Sequence, residues 1–395
     1  MIEFEEAFSK VMQTAQGFGT VEVPLEKAHG RVLAENILAD RDFPPFDRVT
    51  RDGIAIRHNP SNKHWKVTGI AAAGSPQQRL ENDTSCLEVM TGAILPKNAD
   101  TVVMYEHITL SNGEARLLET VEDGQNIHQQ GSDAAKGTVL IREGKLLTAA
   151  EIGVLASVGA STVKVHRNPR ICLFSTGDEL VSIEQNPEPH QIRRSNAHTM
   201  RAALLKWGVA SEICHVKDDK SAIQEALARA LAENEAILIS GGVSKGKYDH
   251  LPEVLENLGV VKHFHKVKQR PGKPFWFGKH PDSGAVVFGF PGNPSSTFVN
   301  FHRYFRPWYL QSLEREEEHF TVSLKEGFDN PLELTRFIHA KATNESGKLT
   351  ATLIHGNGSG DLTSLAEANG FVRITPKTKV SAGTILEFTP TRRIL

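Results

Sequence analysis

Cysteine is scarce in this chain. Three occur among 395 residues, Cys86, Cys172 and Cys214, widely spaced and without a CxxC pair. That argues against a disulfide framework and against a cysteine zinc site. Each is expected to be a buried, small apolar residue in a reducing compartment. No run approaches the ~18 consecutive apolar residues of a membrane span. The opening MIEFEEAFSK is acidic and lacks the basic flank and apolar stretch of a signal peptide. A cytoplasmic protein with no membrane association is therefore expected. Charge of one sign is not in excess either: 45 Lys and Arg face 47 Asp and Glu, a formal net charge of −2, which argues against a dedicated nucleic-acid binder. The 17 histidines include no HxxxH or HExxH pair, so a histidine metal site is not favoured. A GxxxxGK[ST] loop and a correctly placed GxGxxG are both missing, which weakens ordinary ATPase and dehydrogenase readings. Gly242 to Gly246 does spell GxSxG. The helix expected next begins only near His250, too far on for a nucleophile elbow.

What is present suits a soluble globular protein, with 39% apolar and 23% charged residues. The length predicts roughly two to four domains. Phe4, Ala7, Val11 and Ala15 recur at helical spacing, and Gly17 can end that helix. From Arg41 to about Asp133 short alternating runs are separated by turn residues, which predicts a small inserted β domain. Helix returns at LTAAEIGVLASVG, with Thr148 as N-cap, Glu151 as its capping-box partner and Gly159 as the stop. The segments on either side of the insertion are expected to pack together. From Pro169 strands and helices alternate, which predicts right-handed crossovers and a mostly parallel sheet. One of those helices, SNAHTMRAALLKWG, is expected to bury Met200, Leu204 and Leu205. From about Glu318 five short β runs predict a small barrel or sandwich.

Three glycine turns fall at strand ends, where ligands of such sheets bind. STGDEL (Ser175 to Leu180) offers Ser175, Thr176 and Gly177 to an anion. Asp178 and Glu179 beside that anion imply a divalent cation between them, since magnesium takes one or two carboxylates plus phosphate oxygens. SGGVSKGKYD brings Ser240, Gly241, Gly242 and Ser244 close to a phosphate or flat ring, with Asp249 for a metal or a ring N–H. FPGNPSS ends a strand and starts a helix. RPGKP fixes Arg270 and Lys273 on one stiff turn, a reasonable oxyanion site. Taken singly, STGDEL reads equally well as an ordinary acidic turn, a lone glycine-rich loop is weak evidence, and an isolated RPGK reads better as a solvated turn.

Taken in order, PPFDxxxxDGxA, TGAxLPxxAD, STGDEL, SGGVSxGxxD, PGKP and FPGNPSS resemble the molybdopterin molybdenumtransferase family, the MoeA type that also includes the E domain of gephyrin. The resemblance runs over nearly the whole chain. It implies four parts: an N-terminal mixed α/β segment (1–40 plus 134–167), an inserted small β domain (41–133), a central three-layer α/β domain of molybdopterin-binding type with a mostly parallel sheet (168–312), and a C-terminal β barrel-like domain (313–395). It also implies a homodimer whose site lies between the α/β domain of one subunit and the inserted domain of the other. The implied reaction takes adenylylated molybdopterin and molybdate, needs Mg²⁺ and releases AMP. Implied protein partners are the molybdopterin adenylyltransferase and molybdoenzyme-maturation proteins. The alternatives are a dimeric scaffold or molybdopterin-binding paralogue, and the adenylyltransferase itself.

By position the resemblance assigns catalytic roles to Asp52, Asp133, Glu179, Asp218, Asp249 and Lys273, with Asp219 an alternative register for Asp218. Substrate-binding roles go to Thr91, Ser175, Thr176, Gly177, Ser240, Gly241, Gly242, Ser244, Arg270, Pro291, Pro294 and Ser359. Metal roles go to Asp178, Glu179 and Asp249. Two departures stand out. Ile54 replaces the family's frequent tyrosine, and His339 replaces its common arginine, so that another cation, Lys341 or Arg336, is required if that arginine binds the anion.

Overall fold

Phe4, Ala7 and Val11 fall on one face of the first helix, α1 (Phe4–Met12), and all three are buried. The helix closes at Gln13, short of Gly17, where the Thr14 hydroxyl donates to the Val11 carbonyl at 2.7 Å and turns the chain away. The computed structural model describes residues 1–243 and 250–394. The chain forms two compact units, one of residues 1–21, 30–32 and 165–395, the other of residues 22–29 and 33–164. Helix α1 belongs to the first, where Phe4 packs on Phe337 at 5.2 Å and Tyr304 at 5.6 Å between ring centres.

The second unit is built on a six-stranded sheet of β1 (Gly53–Ile56), β2 (His64–Ala71), β3 (Ser85–Val89), β4 (Thr101–Met104), β5 (Ile108–Ser111) and β6 (Glu114–Leu117). Their order is β4-β1-β3-β2-β6-β5, antiparallel except for β2 against β3. One face packs Ala55, Val89 and Val102; the other packs Ile54, Trp65, Cys86 and Val103. Strand β1 sits inside this sheet with all four residues buried, so it shows no polar alternation, and the sequence pattern passed over it. Ile54 is wholly buried in that core. The flanks of the insertion do pair: the Ala39 N–H donates to Thr138 and the Leu33 N–H to Lys145, both at 2.9 Å. Helix α2 (Ala149–Ser157) begins in the expected capping box, the Thr148 N–H donating to the Glu151 carboxylate at 2.9 Å. It stops at Gly159, whose φ of 73° suits glycine. Thr148→Ala is expected to cost about 1 kcal/mol, read as a lower urea midpoint with an unchanged slope.

The first unit carries the α/β layers: β7 (Ile171–Thr176), α3 (Ser195–Lys206), β8 (Ser211–Val216), α4 (Lys220–Glu233), β9 (Ala236–Ser240), α5 (Leu251–Asn257), β10 (Val261–His265), β11 (Trp276–Lys279), β12 (Val286–Phe290), α6 (Pro294–Asn300) and α7 (Arg306–Ser312). The sheet order is β8-β7-β9-β12-β11-β10. The first four strands are parallel, and β11 and β10 add an antiparallel edge. Alternate residues face opposite layers. Phe174, Ile237, Ile239 and Val287 meet Ile223, Leu227 and Val254 of α4 and α5. Phe288 meets Phe305 and Trp308, each at 5.5 Å. Helix α3 buries Met200 and Leu204, but Leu205 is 58% exposed, against expectation. Residues four apart share a helix face, whereas the next residue lies about 100° further round. A π-helical stretch, Phe301–Phe305, joins α6 to α7 just before Pro307, which cannot donate into the helix ladder.

The chain ends in β13 (Phe320–Leu324), β14 (Thr335–Glu345), β15 (Lys348–Leu353), a short helix α8 (Thr363–Glu367), β16 (Gly370–Ile374) and β17 (Ile385–Pro390). The order β14-β15-β13-β17-β16 returns to β14, closing a five-stranded barrel. Closure is possible because β14 is long enough to pair with β16 at its start and β15 at its end. Among the described residues no helix is long and apolar enough to cross a membrane.

Candidate active site

The three glycine turns sit side by side because β7, β9 and β12 are adjacent and parallel, so all end at the same edge. A cavity of about 670 Å³ opens there, lined by Ser175, Thr176, Glu179, Ser240, Gly241 and Pro294, with Arg193 and Arg194. Gly177 takes a φ of 144°, and a Cβ there would lie 2.6 Å from the Glu179 carboxylate. The glycine therefore lets that carboxylate fold back over the turn. The Thr176 hydroxyl donates to Asp218, whose own N–H donates to Asp178 at 3.3 Å. Asp219 instead caps α4, accepting from the Ala222 N–H at 2.8 Å. Of the two registers, Asp218 is therefore the one that faces the turn. Ser175 is buried and pairs with His215 Nδ1 at 3.2 Å. Burial, with Arg194 nearby, holds that imidazole below its ordinary pKa. Gly242 adopts a φ of 65° with Leu251 beneath it, a packing position rather than a lining one. Ser244 and Asp249 lie outside the described residues.

A second cavity of about 500 Å³ lies between the α/β layers and the barrel. Arg270, Lys273, Pro291 and Ser359 line it. It forms because Gln269 and Arg270 add a short parallel strand to the start of β14, in register with Thr335 and Arg336. That pairing brings Arg336 in beside Arg270. Burial, then the Arg270 charge, lowers the Arg336 pKa. Lys341 is exposed and is not among the lining residues. His339 is 7% exposed, and its Nε2 meets the Ser295 hydroxyl at 2.8 Å. Burial pushes its pKa down to about 4. The loop after β15 closes the rim: Asp361 accepts from the N–H groups of Asn357 and Thr363 at 3.0 and 2.8 Å, and its pKa falls to about 2, chiefly through the Thr363 hydroxyl. The two cavities share one wall, Asn293 of the PGNP turn. Asn293 donates to the Ser359 hydroxyl at 2.7 Å, and Asn196 donates to the Gly292 carbonyl at 2.7 Å.

The second unit gathers the remaining residues into one loop cluster. Asp52 accepts from the Thr91 N–H at 2.6 Å and from its hydroxyl at 2.8 Å, and these bonds lower its pKa. The next residue, the Gly92 N–H, donates to Val49 at 2.8 Å. Neighbouring Arg48 approaches His128 Nδ1 at 3.0 Å, and His128 Nε2 approaches Asp133 at 2.8 Å. The Asp133 N–H ties back to Phe43 of the FPPFD segment at 2.9 Å.

The predicted residues thus fall into three groups, one per cavity and one on the second unit. Asp178, Gly177, Asp218 and Gly242 support the first cavity without lining it. Arg193, Arg194, Asn196, Asn293 and Ser295 were not assigned from sequence, whereas Arg336 was named there as one of two alternative cations. The paired arginines before the helix-starting Ser195 were the legible signal, two cations beside a helix N-terminus.

Comparison with known proteins gives matches along nearly the whole chain. Three family models match in succession: the MoeA N-terminal region (domain I and II) over residues 2–159, a probable molybdopterin binding domain over 172–311, and the MoeA C-terminal region (domain IV) over 321–391. A Synechocystis sp. protein called molybdopterin molybdenumtransferase is 37% identical over 384 residues, 95% of each chain. A Staphylococcus epidermidis protein of the same name is 30% identical, covering 98% of this chain and 94% of its own. A crystal structure of a molybdopterin biosynthesis MoeA protein from Pyrococcus horikosii superposes over all of both chains, with a TM-score of 0.84 at 30% identity. Fold and matches together define a molybdenum cofactor biosynthesis protein built around a molybdopterin-binding α/β domain. The chain belongs to the MoeA family.

Proposed function

We propose that this protein is a molybdopterin molybdenumtransferase that inserts molybdate into adenylylated molybdopterin and releases AMP. The observation that carries this reading is the shared Asn293 wall. A first cavity lined by hydroxyls and a glycine turn abuts a second cavity lined by cations. A reaction that joins an oxyanion to a phosphorylated pterin needs those two sites in contact. In the first cavity Ser175, Thr176, Ser240 and Gly241 would bind the pterin phosphate. In the second, Arg270 and Lys273 would hold molybdate, with Ser359 and Pro291 shaping the wall. Water supplies the oxygen that cleaves the pyrophosphate link, AMP leaves, and the two dithiol sulfurs bond molybdenum as one molybdate oxygen departs as water with their two protons. Asp52, Thr91 and Asp133 would complete the site from the partner subunit of a homodimer.

Among the described residues no group of three His, Cys, Asp or Glu side chains is placed to enclose a metal ion. Magnesium takes one or two carboxylates and fills its shell with water and ligand phosphate. Asp178 and Glu179 would hold it, with Asp249 as a further ligand. Bound there, magnesium would offset charge on the pyrophosphate as its link breaks. A cytoplasmic location, docking with the adenylyltransferase and with molybdoenzyme-maturation proteins, and the four-part division at residues 40, 133, 167 and 312 belong to the same proposal.

The test is AMP release from adenylylated molybdopterin with magnesium, with and without molybdate. Release that rises with molybdate is expected. A bound substrate with no release would make the protein a scaffold or binding paralogue instead.

A further inference from the structure

We propose that Arg336 is the cation that binds molybdate in place of the family's arginine, so that this chain has moved the anion's charge partner three residues along β14. The inference rests on the reading of the second cavity as the molybdate site.

His339 stands at the position of that arginine and cannot supply its charge. It is buried, its Nε2 is engaged by Ser295, and it is neutral at physiological pH. The acid that faces it, Asp361, has its oxygens engaged by the N–H groups of its own loop. Arg336 lines the same cavity. Its guanidinium lies over the Phe328 ring, 5.5 Å from the centroid, and that ring lines the cavity too. Stacking on an aromatic face fixes the plane of a guanidinium while leaving its edge free to donate. The Arg336 Nε is buried without a hydrogen-bond partner, and among the described residues no carboxylate pairs with Arg336. Instead it sits beside Arg270, a like charge that disfavours it. Arg336 is half-buried while Arg270 is exposed, and among the described residues no carboxylate lies between them, so the two like charges repel in the empty protein. A dianion between Arg270, Lys273 and Arg336 reverses the sign of that interaction, and a tetrahedral oxyanion accepts a guanidinium's parallel N–H pair.

The experiment measures the molybdate dependence of AMP release, at saturating adenylylated molybdopterin, for wild type, R336Q, R336K, H339Q and K273A. R336Q loses charge-assisted bonds, so its KM for molybdate is expected to rise roughly 10- to 100-fold with little change in the KM for the pterin. R336K keeps the charge and is expected to recover part of that loss. H339Q keeps a neutral donor to Ser295 and is expected to leave the molybdate KM unchanged. Thermal midpoints are measured alongside; if R336Q does not fold, R336K alone is expected to raise the molybdate KM, and an unchanged value overturns the proposal. An R336Q with wild-type molybdate KM, or an H339Q with a raised one, overturns it while K273A still shows the expected rise. If neither K273A nor R336Q alters the molybdate KM, the cavity is not the oxyanion site, and the wider reading of it fails as well.

Discussion

Glu179→Gln is expected to slow AMP release by roughly 10²- to 10³-fold, the scale on which loss of one group stabilising a transition-state charge acts. The residue lines the cavity that would hold the pyrophosphate, and its carboxylate folds back over the Gly177 turn, where a Cβ would lie 2.6 Å away. A carboxylate facing a phosphate is repulsive unless a cation lies between them. The sign of the effect therefore decides its role. If Glu179 holds magnesium, the glutamine variant is slower and needs more magnesium for half-maximal rate. If it does not, removing the negative charge favours the anionic substrate, and the rate holds or rises. Initial rates of AMP release across a magnesium titration separate these outcomes.

Gly53→Ala is expected to abolish activity by a different route. A Cβ at Gly53 would lie 1.9 Å from the Val103 carbonyl oxygen, 2.8 Å from its carbon and 2.9 Å from the Met104 Cα. All three are backbone atoms of β4, the sheet neighbour of β1, so no side chain can swing aside. Overpacking of a core costs about 1–3 kcal/mol even where side chains yield. Here the loss should exceed about 3 kcal/mol, enough to displace β1 and with it the adjoining Asp52–Thr91 pair. Urea unfolding followed through Trp65, which is 2% exposed in the core of the same sheet, would show an early transition. An unfolding curve like that of wild type would mean that the strands separate without cost, contrary to the packing described. The glycine of the DG motif is thus a packing requirement, whereas the aspartate beside it is exposed and holds Thr91.

Much of the fold was legible because it obeys local rules. The capping box at Thr148, the parallel strands ending in glycine turns, and the return to short β runs near Glu318 all appear as read. The parts that were not legible have definite causes. Strand β1 is covered on both faces and carries no alternation. The antiparallel edge of β10 and β11 has no local mark that separates it from a loop between helices. Leu205 has the right residue type for the core but the wrong angle on its helix.

The site divides in the same way. The sequence by itself determined the chemistry on offer: hydroxyl and glycine turns at strand ends, acids beside them, and Arg270 with Lys273 on a proline-stiffened turn. Those depend on residue type and close spacing, which a linear pattern preserves. Only the tertiary structure decided that these residues form two cavities meeting at Asn293 rather than one site. It also separated Asp218, turned toward Thr176, from Asp219, committed to a helix cap. And it chose Arg336 over Lys341 as the cation near His339. That choice depends on β14 pairing with residues 269–270, about 65 positions earlier in the chain. Side chains on a strand alternate in direction, but which direction is the cavity is set by the partner strand, and no local spacing encodes it.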